Sequence, residues 1–365
     1  MSRLLFLDPG DARWRALLAL PEACTFHHPA WIEALRATYG YRAFVAAVPD
    51  GAGGVSAGLP IMEVNSLLTG RRWVALPFSD HCCPLAADAA ARDALADGLA
   101  ALRATGAAPR IEVRWALTPA AGPLASTHQA STHQASIQQA SIQQASIQQA
   151  STCVFHAITT EGGEEAVWRR VDRMHKGNLR QAERQGVRVL QRTDLAALRA
   201  FYRLQVITRR RQGVPVQPWR FFERLGRLLA EGQGFILLAV KDDACAAGGL
   251  FLHWGRTLMF KYAASDPAHL GLRPNHLIYA HAIGWACRYG YGRFDLGKTD
   301  VHNEGLRAFK RRWGAEESPL VYSFVGGEPG REAGASLAAV AGALIRRAPA
   351  WLCRASGELF YRHLG

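Results

Sequence analysis

Apolar and polar positions alternate most regularly in the second half of the chain. Three runs rich in aromatic and aliphatic residues follow one another at Phe235–Val240, Ala246–Trp254 and Thr257–Ser265. The polar segments between them, KDDA and WGR, have the length of hairpin turns. The pattern therefore predicts three antiparallel strands in succession.

Helical periodicity lies on both sides of these strands. Asp194 precedes a segment in which Leu195, Leu198, Tyr202 and Val206 recur at the spacing of one helix face, so Asp194 is predicted as a helix cap. After an arginine-rich helix, the series has the order β, α, α, β, β, β, α, β, α, β. Its other predicted members are helix Glu164–Gly186, strand Val187–Arg192, helix Trp219–Glu231, helix His276–Tyr289 capped by Asn275, strand Arg293–Leu296, helix Gly305–Trp313 and strand Pro319–Val325.

The first half of the chain repeats part of this plan. Helices are predicted at Trp31–Tyr39, behind a cap in the HHP segment, and at Ala90–Thr105. A chain of 365 residues has the length of about two domains. We therefore predict an α/β (α+β) protein with domains of one architecture at residues 1–160 and 161–330, and a helical tail at 331–365. The predicted strands of the first domain are Arg42–Val48, Val55–Val64, Arg72–Leu76, Arg110–Leu117 and Cys153–Thr159.

A low-complexity repeat interrupts the first domain. Between Ala125 and Thr152 the chain repeats a five-residue unit, ASTHQ or ASIQQ. On a helix each unit would be rotated by about 140° from the last, because each residue turns roughly 100°. The isoleucines would then spiral around the helix without forming a core face. We predict a poorly ordered insertion at 125–152 without a catalytic role for His128 or His133.

Basic charge is concentrated in one part of the sequence. The formal net charge is +13, and residues 165–231 hold 16 Arg and Lys against 6 Asp and Glu, a difference of +10. Such a field favours anionic partners: a phosphate-bearing small molecule, a lipid- or nucleotide-linked substrate, RNA such as tRNA, or an acidic membrane surface. The alternative is a solvated helical face in an arginine-rich protein. We expect no DNA partner.

Cysteine usage and hydropathy predict a cytoplasmic protein. The seven cysteines form no C-x-x-C pair, which favours reduced thiols and no bound metal. The apolar run Leu4–Leu7 is too short for a signal peptide, and no run approaches the ~20 residues that span a bilayer. Near the C-terminus, arginines beside Trp351 and Phe360 would suit a peripheral contact with the inner membrane face; packing against the protein is the alternative.

The segment FDLGKTDVHNEGLRAFKRRWGA, Phe294–Ala315, carries the clearest candidate chemistry. It predicts a buried strand, a polar turn over Gly297–Glu304, and a short basic helix. In α/β proteins ligands bind beyond the carboxyl ends of strands. The strand end here gathers acid, base and cation, and Lys310 follows on the helix, which favours acyl transfer. The residues at the strand end are Asp295, Lys298, Asp300 and His302.

Several of these groups are candidates for a general base. An acceptor ammonium must lose a proton before or during its attack on a carbonyl. His302 has the intrinsic pKa best suited to this step near neutrality, whereas Asp295 lies in the strand and is equally suited to orienting its neighbours. Asp300 and Asp80 are further candidates, and the sequence leaves the choice open.

The order of elements and three motifs resemble a known family. HKGNLRQAERQGV (His175–Val187), LRPNHLIYAHAI (Leu272–Ile283) and FDLGKT…NEGLRAFKRRWGA follow the pattern of the GNAT acyltransferases. Two such modules in tandem are similar to the Fem-type peptidyltransferases and their acetyltransferase-like relatives of bacterial envelope and exopolysaccharide systems. The resemblance implies two GNAT-like domains, each a mixed central sheet flanked by helices.

The resemblance also implies roles for particular residues. The family's G-x-x-x-F-K element falls on Gly305, Phe309 and Lys310, and its lysine lies at the reaction centre, where a cation stabilises an oxyanion. The family's basic K-x-x-x-R helix falls on Lys176 and Arg180, which would hold an anionic substrate. The alternatives are a solvated lysine at 310 and a salt bridge of the basic helix with a nearby acid.

One loop departs from the pattern of CoA-dependent GNAT proteins. Those proteins bind a pyrophosphate on Q/R-x-x-G-x-G/A, but the segment His269–Asn275 lacks the second glycine, and Pro274 removes one N–H. This favours a Fem-like aminoacyl-tRNA donor, with acyl-CoA as the alternative and no tightly bound cofactor. Arg273 and Asn275 remain candidates for contacting an anionic group.

The first domain contributes one further candidate loop. Asp80 and His81 lie in LPFSDHCCPL after the third predicted strand and would hold an acceptor between the domains, unless the loop is only a rigid connection. The sequence thus predicts an acyltransferase acting on an amine of an envelope or exopolysaccharide precursor. The alternatives are a CoA-dependent N-acetyltransferase and a non-catalytic RNA- or membrane-binding protein of the same fold.

Overall fold

The structure is a computed structural model, and it describes residues 4–66, 70–118, 147–327 and 342–363. The chain divides into two compact units. Described residues up to 154, together with 319–327, form the first unit, and residues 155–318 with 342–363 form the second. Residues 319–327 therefore belong to the first unit although they follow residues 155–318 in the sequence, and the strands β7 and β13, near 154 and 318, contain residues of both units.

The first unit is a mixed sheet with three helices. The sheet has the order β1-β2-β3-β4-β6-β13, in which only β4 and β6 run parallel. The side chain of His28 caps the second helix, as predicted for the HHP segment, and that of Asp88 caps the third. Its elements are β1 (Leu5–Leu7), α1 (Ala12–Leu17), α2 (Pro29–Tyr39), β2 (Arg42–Pro49), β3 (Val55–Ser66), β4 (Gly70–Val74), β5 (Leu85–Ala86), α3 (Ala89–Ala104), β6 (Ile111–Val113) and the later part of β13 (Glu316–Val325).

The second unit is also a mixed sheet with helices, in the strand order β12-β11-β10-β9-β8. Its meander of three antiparallel strands is the one that the apolar runs predict. Its elements are β7 (Ile147–Thr159, shared with the first unit), α4 (Gly163–Arg170), α5 (Arg173–Arg184), β8 (Arg188–Arg192), α6 (Leu195–Gln212), α7 (Trp219–Ala230), β9 (Gly234–Lys241), β10 (Ala244–Trp254), β11 (Thr257–Ser265), α8 (Pro274–Arg288), β12 (Arg293–Asp300), α9 (Glu304–Arg312) and α10 (Ala350–Phe360).

Strands β11 and β12 diverge in the middle of the second unit. They pair in parallel from Thr257 and Arg293 only as far as Met259 and Asp295, although both strands continue beyond these residues. Beyond that point, the backbone N–H and C=O groups of β11 and β12 therefore do not bond to each other in the ladder. An opening at the carboxyl ends of parallel strands is where α/β proteins bind ligands.

Helix α9 is held against helix α8 by aromatic packing. Trp313, directly after α9, is fully buried and stacks on Tyr279 of α8, with ring centroids 5.2 Å apart and planes 14° apart. Phe309 of α9 meets the same tyrosine ring edge-on at 5.3 Å. Burying a side chain of this size stabilises a fold by about 1.5–3 kcal/mol. The position of α9 is therefore fixed by the core.

Several predicted elements differ from the observed ones. The predicted helix Glu164–Gly186 is two helices, because Asp172 breaks the segment and caps α5. Asn275 does not cap α8; Arg273 occupies that position with φ 57°. The end of the repeat, residues 147–152, lies in strand β7, while residues 119–146 with His128 and His133 lie outside the described part. The α/β class with mixed sheets is confirmed.

Within the described ranges, no helix is both long and apolar enough to cross a lipid bilayer. The seven cysteines are all free thiols, and four of them are buried: Cys24, Cys82, Cys83 and Cys353.

Candidate functional site

The candidate site begins at a kink in strand β12. Gly297 has φ 68°, which is a left-handed backbone conformation. Glycine adopts this conformation readily, whereas a residue with a side chain would be strained in it. Its N–H donates to the Asp295 carboxylate at 2.6 Å. The predicted polar turn from Gly297 onward is thus partly strand, since β12 continues to Asp300. Asp295 is buried and holds the kink, which fits the orienting role that the sequence left open for it.

The kink presents three acceptors to the ammonium of Lys310. The Nζ atom donates to the carbonyls of Gly297 and Lys298 at 3.1 and 3.2 Å and to Thr299 Oγ1 at 2.8 Å. The residue is only 3% exposed. An ammonium has three protons, and a buried charge is tolerated when each proton has an acceptor. These three acceptors are neutral dipoles that direct the ammonium toward the kink of β12.

A fully buried histidine stands behind Thr299. His156 of β7 places Nδ1 3.5 Å from Thr299 Oγ1 and Nε2 3.0 Å from Glu317 Oε2. Burial, and next the charge of Lys310, lower the pKa of His156 to about 4, against the opposing effect of Glu317. The imidazole is therefore neutral near pH 7.

Glu317 is the carboxylate at the far end of this series of contacts. Arg307 donates to both of its oxygens, at 2.7 and 3.0 Å, and Arg311 adds a contact at 3.2 Å. The hydrogen bonds from Arg307 lower the pKa of Glu317 to about 2. Glu304 binds both arginines on their other side. The carboxylate of Glu317 is therefore fixed and ionised.

The predicted substrate-binding residues of the second unit and the predicted catalytic base His302 lie at or near its surface. Lys298, Asp300 and His302 are exposed, and the His302 backbone N–H is bound by Asp300 at 2.8 Å. The structure therefore brings Thr299 to the lysine, places Asp295 on Gly297, whose carbonyl is one of the lysine's acceptors, and leaves His302 on the connecting turn. The predicted roles of Lys298, Asp300 and His302 remain predictions.

The predicted basic helix is linked to the segment that carries Lys310. His175 of α5 donates from Nε2 to the carbonyl of Phe309 at 3.0 Å, and its ring meets that of His276 of α8 at 4.8 Å. Lys176, the next residue, is half-buried, and Arg180 is exposed one turn later. Helix α5 thus begins beside α9, and the predicted role of Lys176 and Arg180 in holding an anionic substrate remains a prediction.

The start of helix α8 offers few donors to an anion. Pro274 has no N–H, and the N–H of His276 donates to the carbonyl of Arg273 at 3.1 Å. Arg273 itself is exposed, and Asn275 is half-buried in the first turn. A pyrophosphate needs several free N–H groups at such a terminus. The segment His269–Asn275 therefore differs from the loop of CoA-dependent GNAT proteins in its available N–H donors as well as in its sequence.

Asp80 and His81 lie in a constrained loop of the first unit. Leu76 and Phe78 both have positive φ, 55° and 62°, which is uncommon for bulky side chains. Tyr322 donates its hydroxyl to the Asp80 carbonyl at 2.6 Å, and Phe26 packs edge-on against the buried His81 ring at 5.4 Å. Such strain is retained where the surroundings hold it and is frequent in functional loops. The acceptor role of the two residues remains a prediction.

Sequence reasoning missed three residues of the site: Thr299, His156 and Glu317. His156 is the polar member of an apolar strand, VFHAI, and this was a usable signal because an isolated buried histidine requires partners. Thr299 and Glu317 carry no local signal, since their roles depend on contacts across β12, β7 and β13. No cluster of three or more His, Cys, Asp or Glu side chains suited to a metal ion occurs in the part of the chain that the structure describes.

Comparison with known proteins identifies the class first. Residues 169–311 match a family model described as Acetyltransferase (GNAT) domain. A tandem GNAT protein from the clavulanic acid biosynthesis pathway superposes with TM-score 0.53 at 12% identity, over 90% of this chain and 100% of that one. The fold is therefore that of the tandem GNAT acyltransferases, and the predicted class of enzyme is confirmed at this level.

The Fem-type resemblance is confirmed by two further matches. FemX superposes with TM-score 0.63 at 15% identity, over 86% of this chain and 95% of that one. A UDP-N-acetylmuramoylpentapeptide-lysine N(6)-alanyltransferase of Weissella viridescens is 23% identical over 149 residues, which is 40% of this chain and 44% of that protein. The chain thus matches less than half the length of this relative. The chain is thus similar to the GNAT domain over residues 169–311, and its fold is similar to that of FemX.

Proposed function

We propose that the protein transfers an aminoacyl group from a charged tRNA to an amine of a cell-envelope precursor. The observation that carries the proposal is Lys310, a buried cation aimed by three neutral acceptors beside the diverging ends of β11 and β12. The aminoacyl donor and the envelope acceptor are supported by the alanyltransferase relative, whose name specifies an alanyl group and a muramoyl-pentapeptide lysine.

The proposed chemistry is attack of a neutral amine on an ester carbonyl. A C–N bond forms, the carbonyl oxygen becomes an oxyanion, and the C–O bond to the tRNA ribose then breaks as the proton from nitrogen reaches the departing oxygen. All three Nζ protons of Lys310 already have acceptors, so its charge stabilises the oxyanion through space. A direct hydrogen bond would require exchange of one of the longer carbonyl contacts, at 3.1 or 3.2 Å. Removing one such group typically costs a factor of about 10²–10³ in turnover.

The donor is proposed to be aminoacyl-tRNA in preference to acyl-CoA. The missing N–H of Pro274 and the occupied N–H of His276 leave the start of α8 poorly suited to a pyrophosphate. Exposed arginines on α5 and α6, including Arg180 and Arg203, supply a surface that a polyanion would bind. Neither donor would remain tightly bound as a cofactor.

The test is a transfer assay with a matched pair of lysine variants. Purified protein is incubated with alanyl-tRNA or acetyl-CoA and with UDP-N-acetylmuramoyl-pentapeptide, and the acceptor is followed by mass. Lys310→Met fills the site without a charge and is expected to lower turnover about 10²–10³-fold, whereas Lys241→Met, outside the site, should leave it unchanged. Circular dichroism checks both folds.

Three outcomes would contradict parts of the proposal. Equal turnover of Lys310→Met and wild type would remove the site assignment. Transfer from acetyl-CoA but not from alanyl-tRNA would establish the alternative donor. Salt-sensitive RNA binding without transfer from either donor would favour a non-catalytic binding protein.

We further propose that the C-terminal segment contacts an anionic membrane surface from the cytoplasmic side. Helix α10 packs by its small residues, since a side chain at Gly357 would collide with the Val216 carbonyl. Its opposite face exposes Trp351 and Leu359, which are 66% and 65% exposed. Residues 342–363 also contain four arginines against one acid, Glu358. An apolar face flanked by arginines is typical of helices that lie in a membrane interface.

A further inference from the structure

We propose that His156 is a positioning residue for Lys310, which acts by fixing the Thr299 hydroxyl that accepts a hydrogen bond from the lysine ammonium. The inference deepens the proposed function and rests on it for its consequence in catalysis. The underlying series of contacts, Lys310–Thr299–His156–Glu317, can be tested independently of activity.

The direction of each hydrogen bond follows from the donors and acceptors present. Lys310 Nζ has only protons to give, so Thr299 Oγ1 accepts at 2.8 Å. Glu317 is ionised and accepts from His156 Nε2 at 3.0 Å, which fixes the proton of the neutral ring on Nε2. The lone pair of Nδ1 then faces Thr299 at 3.5 Å and can accept the hydroxyl proton. A single arrangement satisfies all four groups.

The hydroxyl is the adjustable link in this series of contacts. A threonine O–H rotates freely unless an acceptor fixes it, and its oxygen presents a lone pair to the ammonium only when the proton points elsewhere. His156 Nδ1 supplies that acceptor. The distance of 3.5 Å between Thr299 Oγ1 and His156 Nδ1 is the longest in this series of contacts. Catalytic hydrogen bonds are often long before substrate binds.

The charges around His156 favour the hydrogen bond from the Thr299 hydroxyl to Nδ1 over the reverse direction. Lys310 and Arg311 face the ring from α9, and Glu317 faces it from β13. A proton on Nδ1 would turn that atom into a donor, reverse the Thr299 hydroxyl and bring a second cation toward Lys310. Burial and Lys310 both oppose that protonation.

The alternative role for His156 is a strut that ties β7 to β13 through Glu317. Glu317 already receives two hydrogen bonds from Arg307 and one from Arg311, so it does not depend on His156 for satisfaction. The two roles use different ring nitrogens. Positioning needs Nδ1, and a strut needs Nε2.

Two substitutions separate these nitrogens. His156→Asn retains a polar atom near the place of Nδ1 and loses the contact to Glu317, whereas His156→Gln retains a donor near Nε2 and loses the acceptor for Thr299. Thr299→Ser retains the hydroxyl, and Thr299→Val removes it at nearly constant volume. Each pair contains its own conservative control.

The first readout is the exchange of the Lys310 ammonium protons with water, observed on the 15Nζ signal by NMR. The chain has only five lysines, and Lys310→Met assigns the signal. We expect slow exchange in wild type, His156→Asn and Thr299→Ser. In His156→Gln and Thr299→Val exchange should be about tenfold faster, because loss of one hydrogen bond to a charged group changes an opening equilibrium by roughly that factor.

The second readout is the transfer assay, in which the same two variants should lower kcat with KM unchanged. Slow ammonium exchange in both His156→Gln and Thr299→Val would overturn the inference. So would a pattern in which Gln preserves and Asn loses the protection, since that is the signature of a strut. If a His156 variant does not fold, the Thr299 pair decides. Unchanged turnover in Lys310→Met would instead reject the proposed function, while the exchange result would still decide the series of contacts.

Discussion

At the scale of single residues, Glu317 and His156 couple the site to pH. Their folded-state pKa values both lie below the ordinary ones: that of Glu317 is lowered to about 2 by Arg307, and that of His156 to about 4 by burial. In each case the folded protein binds fewer protons than the unfolded chain over the interval between the two values. Folding stability therefore falls as pH falls through each interval. The intervals are about 6.5 to 4 for His156 and about 4.5 to 2 for Glu317.

This pH dependence gives a testable prediction. Glu317→Gln should flatten the decline in unfolding free energy below pH 4.5, because the variant has no carboxylate to protonate there. His156→Asn should reduce, without abolishing, the decline between pH 6.5 and 4, since His27 and His276 are also buried with pKa values of about 4. Urea unfolding at a series of pH values measures both. A parallel shift of the whole wild-type curve in Glu317→Gln would contradict the assignment.

The sequence predicts which types of side chain lie near the site better than it predicts which of them are buried. Lys298 and Lys310 are the same residue type near one turn, yet Lys298 is exposed and Lys310 is enclosed. Among the groups near the predicted turn, His302 has an intrinsic pKa better suited to a general base than those of the aspartates. The histidine that lies next to the lysine's acceptor Thr299 is instead His156, which is far away in the sequence. Local pattern identifies side-chain chemistry. Burial and hydrogen-bond partners depend on strands that meet only in the folded chain.

At the scale of elements, the presentation of Lys310 depends on helix α9. This helix has nine residues, a length at which an isolated helix is unstable in water. Asn303 caps it, with Oδ1 accepting from the Leu306 N–H at 3.1 Å, and Trp313 anchors its other end. Cap and anchor together fix the direction in which Lys310 enters the kink of β12.

Removal of the cap should therefore affect both stability and turnover. Asn303→Ala is expected to lower the free energy of unfolding by about 1 kcal/mol, the usual cost of losing an N-cap, and to reduce kcat. Asn303→Asp is the matched control, because its carboxylate also accepts from Leu306 and suits a helix N-terminus. Urea unfolding and the transfer assay measure the two effects. Equal stability of the Ala and Asp variants would show that Trp313 alone holds the helix.

Regular elements with strong periodicity could be predicted from the sequence, and transitions between elements could not. Strand β11 has the predicted bounds, and Asp194 caps α6 as the pattern indicates. The division of α4 from α5 at Asp172 was missed because the arginine-rich segment has helical composition throughout. Strand β12 continues through the kink at Gly297 to Asp300. Its last residues are polar, so the apolar pattern predicted an end of the strand at Leu296.

At the scale of the whole molecule, charge and exposed apolar surface are both uneven. The described residues of the second unit carry the basic segment 165–231, and several of the large apolar side chains that remain exposed belong to residues 344–360. Solvent-exposed aromatic and aliphatic groups in one short segment mark an interaction site more often than scattered ones do. Their arginine neighbours favour an anionic surface over an apolar protein partner. Composition suggested this contact, but only the packing of Gly357 shows which face of α10 is outside.

A membrane contact of this kind should depend on lipid charge and on the exposed face of α10. The full chain is expected to float with vesicles of phosphatidylglycerol and phosphatidylcholine, and to remain unbound with phosphatidylcholine alone. Trp351→Ser with Leu359→Ser should abolish flotation, because a helix face of this size binds through its few apolar side chains. Phe6→Ser, at an exposed apolar residue of the first unit, is the matched control. Flotation that persists in the double variant would assign the binding to the basic segment alone, and self-association that the double variant abolishes would identify the face as a contact between copies of the chain.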